Sequence, residues 1–134
     1  MASRNLHDLH PKLMGLAFQH RDMCEAAGID LLIYCTFRSE AEQASLYAQG
    51  RTKPGKIVTY AKPGASKHNH MEGARAASLE YDCVPLIDGK PMWNPKHESW
   101  QIVGSIGKSL GLEWAGDWKR FKEYPHFQIT LDNA

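Results

Sequence analysis

Glu123 and His126 stand three residues apart in the segment Lys122-Glu-Tyr-Pro-His-Phe-Gln128. A neutral imidazole is a good zinc ligand, and a carboxylate one short turn away can take a proton from a water on the same ion. Upstream, Ser66-Lys-His-Asn69 offers His68 and Leu79-Glu-Tyr-Asp-Cys83 offers Asp82. His68, Asp82 and His126 would make three protein ligands with a fourth position left for water. That is the arrangement of catalytic zinc, whereas structural zinc is usually closed by four ligands. A lone E-x-x-H is more often an ordinary pair at a strand edge, so the reading rests on what surrounds it.

The elements that must position these residues are legible in the apolar spacing. Pro11 suits the first position of a helix. Leu13, Leu16, Ala17, His20, Cys24 and Ala27 follow at helical spacing, and Gly28 closes the helix. Residues 29–36 form a short apolar run expected to be a buried strand. Ser39 and Glu42 make a capping box for a second helix that runs through Leu46 and Tyr47 to Gly50. Residues 51–66 are punctuated by Pro54, Gly55, Pro63 and Gly64 and are expected to be loop.

From Ser78 the pattern alternates. Leu79, Tyr81 and Cys83 take one face, Glu80, Asp82 and Val84 the other. Asp88-Gly89 is a hairpin turn signal. Asn94-Pro95 is expected to cap a third helix carrying Trp100, Ile102, Val103, Ile106 and Leu110, ended by Gly111. In the last strand, residues 125–131, His126, Gln128 and Thr130 alternate with Phe127, Ile129 and Leu131. Both strands thus turn apolar residues one way and candidate ligands the other. The expected fold class is α+β: a small antiparallel sheet with helices packed on one face and a zinc cleft on the other.

Composition restricts the function classes. A chain of 134 residues suits one domain, residues 1–134, large enough to bury its own core. A net charge of +1 without a basic run gives no reason to expect nucleic acid. Cys24, Cys35 and Cys83 are an odd number without C-x-x-C spacing, which points to reduced thiols in a cytosolic compartment. The N-terminus shows no apolar signal region, and no apolar run approaches membrane-spanning length. Gly50-Arg-Thr-Lys-Pro-Gly55 fails the P-loop pattern and is expected at the cleft rim. His7, His10, His20 and His97 lack spacing partners and are expected on the surface or on helix faces. Trp100 is expected to be packing, and Trp114 and Trp118 cleft walls.

Several ordered blocks carry a family resemblance: Thr36-Phe-Arg-Ser39 with Gln43; Leu46-Tyr-Ala-Gln-Gly-Arg-Thr52; Lys62-Pro-Gly-Ala-Ser66; Ser66-x-His68-Asn69; Asp82-x-Val84-Pro85; Gly111-Leu-Glu-Trp-Ala-Gly116; and Glu123-Tyr-Pro-His-Phe127. In this order they resemble the zinc peptidases of the D-alanyl-D-alanine carboxypeptidase and L-alanyl-D-glutamate endopeptidase group, phage endolysins above all. The resemblance implies one zinc ion held by His68, Asp82 and His126, with Glu123 as the catalytic carboxylate. It implies that Arg38 stabilises the substrate or the developing oxyanion and that Ser66 helps hold the substrate.

One departure concerns the carboxylate ligand. The family separates its first histidine and its aspartate by a short S-x-H-x-x-G-x-A-x-D run. Here His68 and Asp82 are fourteen positions apart, and Glu80 stands where the family has a small residue. The extra residues are expected to form a longer loop centred on Met71-Glu-Gly-Ala74. Glu80, His70 and Cys83 are the alternatives to Asp82, which is favoured because Val84-Pro85 follows it.

The activity implied is hydrolysis of the L-alanyl–D-glutamate bond of bacterial peptidoglycan stem peptides. The alternatives are a D-alanyl-D-alanine carboxypeptidase or dipeptidase on the same fold, and a non-catalytic zinc domain that binds cell wall. The expected protein is a monomer, not inserted in a membrane, that accumulates in the host cytoplasm until released to the wall.

Overall fold

The computed structural model describes residues 2–131. Helix α1 spans Pro11–Ala26, with His10 capping its N-terminus through Nδ1 and Pro11 in the first turn. Gly28, at φ +82°, turns the chain back into strand β1, Asp30–Cys35. Helix α2, Glu40–Ala48, begins with the full Ser39/Glu42 capping box. The insertion between the first histidine and the next strand folds as a small hairpin. Its strands are β2, Met71–Glu72, and β3, Arg75–Ala76. Strand β4, Glu80–Ile87, turns at Asp88-Gly89 into β5, Lys90–Pro91. Both turn residues have positive φ (53° and 76°), as the tight hairpin requires.

Helix α3, Glu98–Ser109, starts later than Asn94-Pro95 suggested. His97 is its N-cap, accepting from the Ser99 amide, while the Asn94 side chain accepts from Lys96 N within the preceding turn. Strands β6, Glu113–Trp114, and β7, His126–Gln128, complete the sheet.

The main sheet is antiparallel throughout, ordered β1-β4-β7-β6 with β5 on β4. Its core face carries Leu31, Ile33, Tyr81, Cys83 and Phe127 against Leu13, Ala17 and Cys24 of α1 and Val103 of α3. The helices come close because α3 has glycines where it meets the sheet. A Cβ on Gly107 would stand 2.5 Å from the Phe127 ring, and one on Gly104 2.5 Å from Trp114.

Two expectations fail in this core. His20 is fully buried: Nε2 donates to Val103 O at 2.9 Å, so Nδ1 is left to accept from Tyr81 Oη at 2.6 Å. It was expected on a surface or helix face, but its position between α3 and β4 makes it a satisfied core histidine. Trp114 is not a cleft wall. It stacks on Phe127 (centroids 6.1 Å apart, planes at 12°) and donates Nε1 to Tyr124 O.

Candidate metal centre

The sheet register builds the site. On β4 and β7, Asp82 pairs with His126 and Glu80 with Gln128, so all four side chains share the face opposite the core. Between Ile33 and Cys35, β1 carries one residue more than β4, because Ile33 pairs with Cys83 and Cys35 with Asp82. Such a bulge re-aims the strand. Here Tyr34 and Asp82 both line the cleft, and Cys35 is buried beside Asp82. His68 arrives from a single 3₁₀ turn, Lys67–Asn69, capped by Ser66. That turn is bound to the end of β1 twice: Arg38 N donates to His68 O at 2.9 Å, and Asn69 Nδ2 to Arg38 O at 2.7 Å.

His68 Nδ1 donates to Thr36 O at 2.7 Å, which leaves Nε2 as the open nitrogen. That atom lies 3.1 Å from Glu80 Oε1 and 3.3 Å from Asp82 Oδ2. The His126 ring is shared between two sides. Its Nε2 is 2.8 Å from Glu80 Oε2 and 2.6 Å from Gln128 Oε1. Its Nδ1 is 3.4 Å from Glu123 Oε2 and 3.9 Å from Asp82 Oδ1. The structure therefore brings His68, Glu80 and His126 into one set of donors within 4.8 Å of each other, and Asp82 into another with Cys35 and His68. His70 and Cys83 join neither set among the described residues. His70 Nδ1 is turned to Ala77 O, and Cys83 is buried in the core.

The two carboxylates differ in setting. Glu80 is 4% exposed; its Oε1 accepts from Ser66 Oγ at 3.0 Å and from His68 N at 3.2 Å. Asp82 is half-buried and lines the open cleft. Arg38 donates through NH1 to Gln43 Oε1 at 2.9 Å and sets NH2 3.9 Å from Asp82 Oδ2, while its Nε is buried without a partner. Gln43 is held in turn by donating to Ala61 O. Ser66 is engaged as a cap and with Glu80, and it lines the cleft.

The charges show why the cluster suits a cation. Glu80 and Asp82 set two negative charges into the site against the single guanidinium of Arg38, and Glu123 adds a third at the exposed rim; the buried part is costly without compensation. The two imidazoles can supply it. Burial opposes protonation of His126, yet Glu123, Glu80 and Asp82 overcome this and raise its pKa to about 10. His68 is raised likewise by Asp82, Cys35 and Glu80 against its burial. Glu80 and Asp82 are held below the usual carboxylate range, the histidines outweighing desolvation. A dication held by neutral imidazoles would supply the same two charges, and a nitrogen–oxygen donor set of this kind fits zinc.

Two imidazoles over converging carboxylates, open to a cavity of about 500 Å³ with a further carboxylate on its rim, define a metallohydrolase type of site. Two family models, both described as D-alanyl-D-alanine carboxypeptidase, match residues 61–129 and 6–74. The peptidoglycan L-alanyl-D-glutamate endopeptidase CwlK of Bacillus subtilis is 41% identical over 133 residues, covering 91% of this chain and 74% of that protein. The L-alanyl-D-glutamate peptidase of Listeria phage A118 is 28% identical over 94% of this chain and 40% of its own length. Among solved structures, the L-Ala D-Glu endopeptidase ChiX of Serratia marcescens superposes with a TM-score of 0.66 at 21% identity, covering 97% of this chain and 89% of that one. A Zn(II) complex of the D,D-pentapeptidase VanY superposes with a TM-score of 0.62 at 14% identity, over 90% and 72% of the two chains. The chain belongs to the D-alanyl-D-alanine carboxypeptidase family of peptidases.

Sequence reasoning named Glu80 only as a stand-in for Asp82; its bridging of both histidines needed the strand register. It did not single out Tyr34, which lines the cleft beside Asp82. The signal available was an aromatic residue four positions before Arg38 in an otherwise apolar strand.

Proposed function

We propose that this chain is a peptidoglycan endopeptidase that hydrolyses the L-alanyl–D-glutamate bond of the stem peptide, with one zinc ion held by His68, Asp82 and His126. The observation that carries the site assignment is that Glu123 and Asp82 face the same nitrogen of His126, at 3.4 and 3.9 Å. If His126 held the ion through Nδ1, Glu123 would face the ligating nitrogen. With ligation through Nε2, on the Glu80 side, Glu123 would lie across the ring from it. Glu80 then serves from beneath, bonded to Ser66 and the His68 amide and holding both rings in place. The choice of bond follows the 41% identical relative, itself an L-alanyl-D-glutamate endopeptidase.

A zinc ion held by these residues would supply Lewis-acid polarisation to the scissile carbonyl and to a water. Glu123, on the exposed rim, takes the proton from that water and returns it to the leaving amine. Arg38, fixed by Gln43, presents a permanent positive charge to the carbonyl oxygen as negative charge develops there. Ser66 borders the same cleft and helps hold the substrate backbone. A role in phage lysis draws on the phage relative, and accumulation in the host cytoplasm before release to the wall is part of the same reading. No described helix is long and apolar enough to cross a membrane.

The test is digestion of purified peptidoglycan with chemical labelling of the new amino termini. Labelled D-glutamate, absent with Glu123→Ala, is the expected result. Free D-alanine without new glutamyl termini would assign the carboxypeptidase activity instead.

A further inference from the structure

We infer that Tyr60 and Phe121 form a rim for the muramyl sugar that bears the stem peptide. The inference rests on the endopeptidase reading above and extends it to the non-peptide part of the substrate. The two residues come from separate loops, and their rings meet with centroids 5.0 Å apart. Both line the cavity that contains His68, Glu123 and His126. They are 66% and 62% exposed, among the most open of the large apolar side chains described. A contiguous apolar patch at a cleft mouth marks a contact surface more often than a scattered exposed residue does.

The fold holds this pair in place. Arg51 NH1 donates to Tyr47 O at 2.6 Å and Thr59 O at 3.2 Å. Its guanidinium lies 3.8 Å from the Tyr47 ring centroid and 5.8 Å from that of Tyr60. Phe121 has φ +54°, a left-handed conformation disfavoured for a residue with a side chain. An aromatic residue in such a backbone state, turned towards solvent beside a reaction cleft, is the kind of local strain found at functional sites.

The chemistry of the substrate selects the occupant. The L-alanyl–D-glutamate bond is the first peptide bond of the stem. On its acyl side lie only one alanine, a lactyl ether and the N-acetylated sugar ring. One residue spans roughly 3.5 Å, so the sugar must sit beside the bond being cut. For a cut between the terminal D-alanines it would lie about 10 Å further away. The sugar's C–H face and the lactyl methyl are neutral and apolar, and they suit an aromatic rim. The D-glutamyl side carries a free carboxylate and then a charged diamino acid, which do not.

The experiment compares two soluble substrates with the same stem, one bearing N-acetylmuramic acid on L-alanine and the other a plain acetyl group. The readout is the ratio of their kcat/KM values for the zinc-loaded wild type, Tyr60→Ala, Phe121→Ala and the conservative Tyr60→Phe. The expected wild-type ratio is about tenfold in favour of the muramyl substrate, falling towards one in both alanine variants and kept by Tyr60→Phe. A wild-type ratio of one would overturn the inference. So would alanine variants that change both rates alike, because the rim would then gate the cleft without contacting sugar. Release of D-alanine from both substrates, with no new glutamyl terminus, would instead overturn the endopeptidase reading itself.

Discussion

Replacing each of the two strand β4 carboxylates, Glu80 and Asp82, in turn separates ligand from support. Asp82→Asn and Glu80→Gln keep shape and remove one negative charge apiece. Glu80 makes four short contacts, to Ser66 Oγ, His68 N, His68 Nε2 and His126 Nε2, between 2.8 and 3.2 Å. A glutamine can still accept from the first two. If Glu80 orients the rings without touching the ion, its loss should weaken metal binding by about 10- to 100-fold, or roughly 1.4–2.8 kcal/mol. Asp82 makes longer approaches, 3.3 Å to His68 and 3.9 Å to both Arg38 and His126. As an anionic ligand its loss should exceed that ~100-fold range. The assay is zinc competition against a chromophoric chelator at fixed pH and salt, with circular dichroism confirming that each variant is folded. A Glu80→Gln protein that loses zinc as completely as His68→Ala, beside an Asp82→Asn protein that retains it, would refute the assignment and put Glu80 on the ion.

Glu123→Ala should keep zinc and fold while losing turnover by about a hundredfold or more; parallel loss of metal would make Glu123 a ligand, and near-normal turnover would remove it from the mechanism. Arg38→Lys should lower kcat more than it raises KM, because a point charge cannot hold Gln43 and the developing oxyanion together. Normal kinetics with a sharply lowered melting temperature would make Arg38 a structural residue. Burial lowers the pKa of His20, partly offset by its bond to Val103 O, so the folded chain refuses a proton that the unfolded chain accepts. Its contribution to stability is therefore complete above the unfolded value of about 6.5 and declines as pH falls from there to the folded value, by at most ~1.4 kcal/mol per pH unit. Urea unfolding of zinc-loaded wild type and His20→Gln between pH 5 and 8 should show their stability difference shrinking in acid, and a constant difference would contradict the buried neutral ring.

Local chemistry made much of this protein readable from its residues. The Ser39/Glu42 capping box, the Asp88-Gly89 turn and the alternation along 79–83 and 126–128 depend on neighbours within a few positions, although the strand expected over 125–131 is only His126–Gln128. They therefore predict both the elements and the face on which His126 and Asp82 lie. The spacing of Glu123 and His126 likewise sets a carboxylate and the ring within one turn, at 3.4 Å.

The tertiary structure decided what depends on residues far apart in sequence. His20 looked like a helix-face residue until β4 and α3 brought Tyr81 Oη and Val103 O to its two nitrogens. Trp114 became core because Gly104 and Gly116 leave room for its ring. Strand β4 places Glu80 and Asp82 on one face two residues apart, and period alone treats them alike. Pairing with β7 put Asp82 opposite His126 and Glu80 opposite Gln128, and the His68 turn closed over both. Which carboxylate meets which side of an imidazole is decided by how three separate segments pack, and the pattern within any one of them cannot contain it.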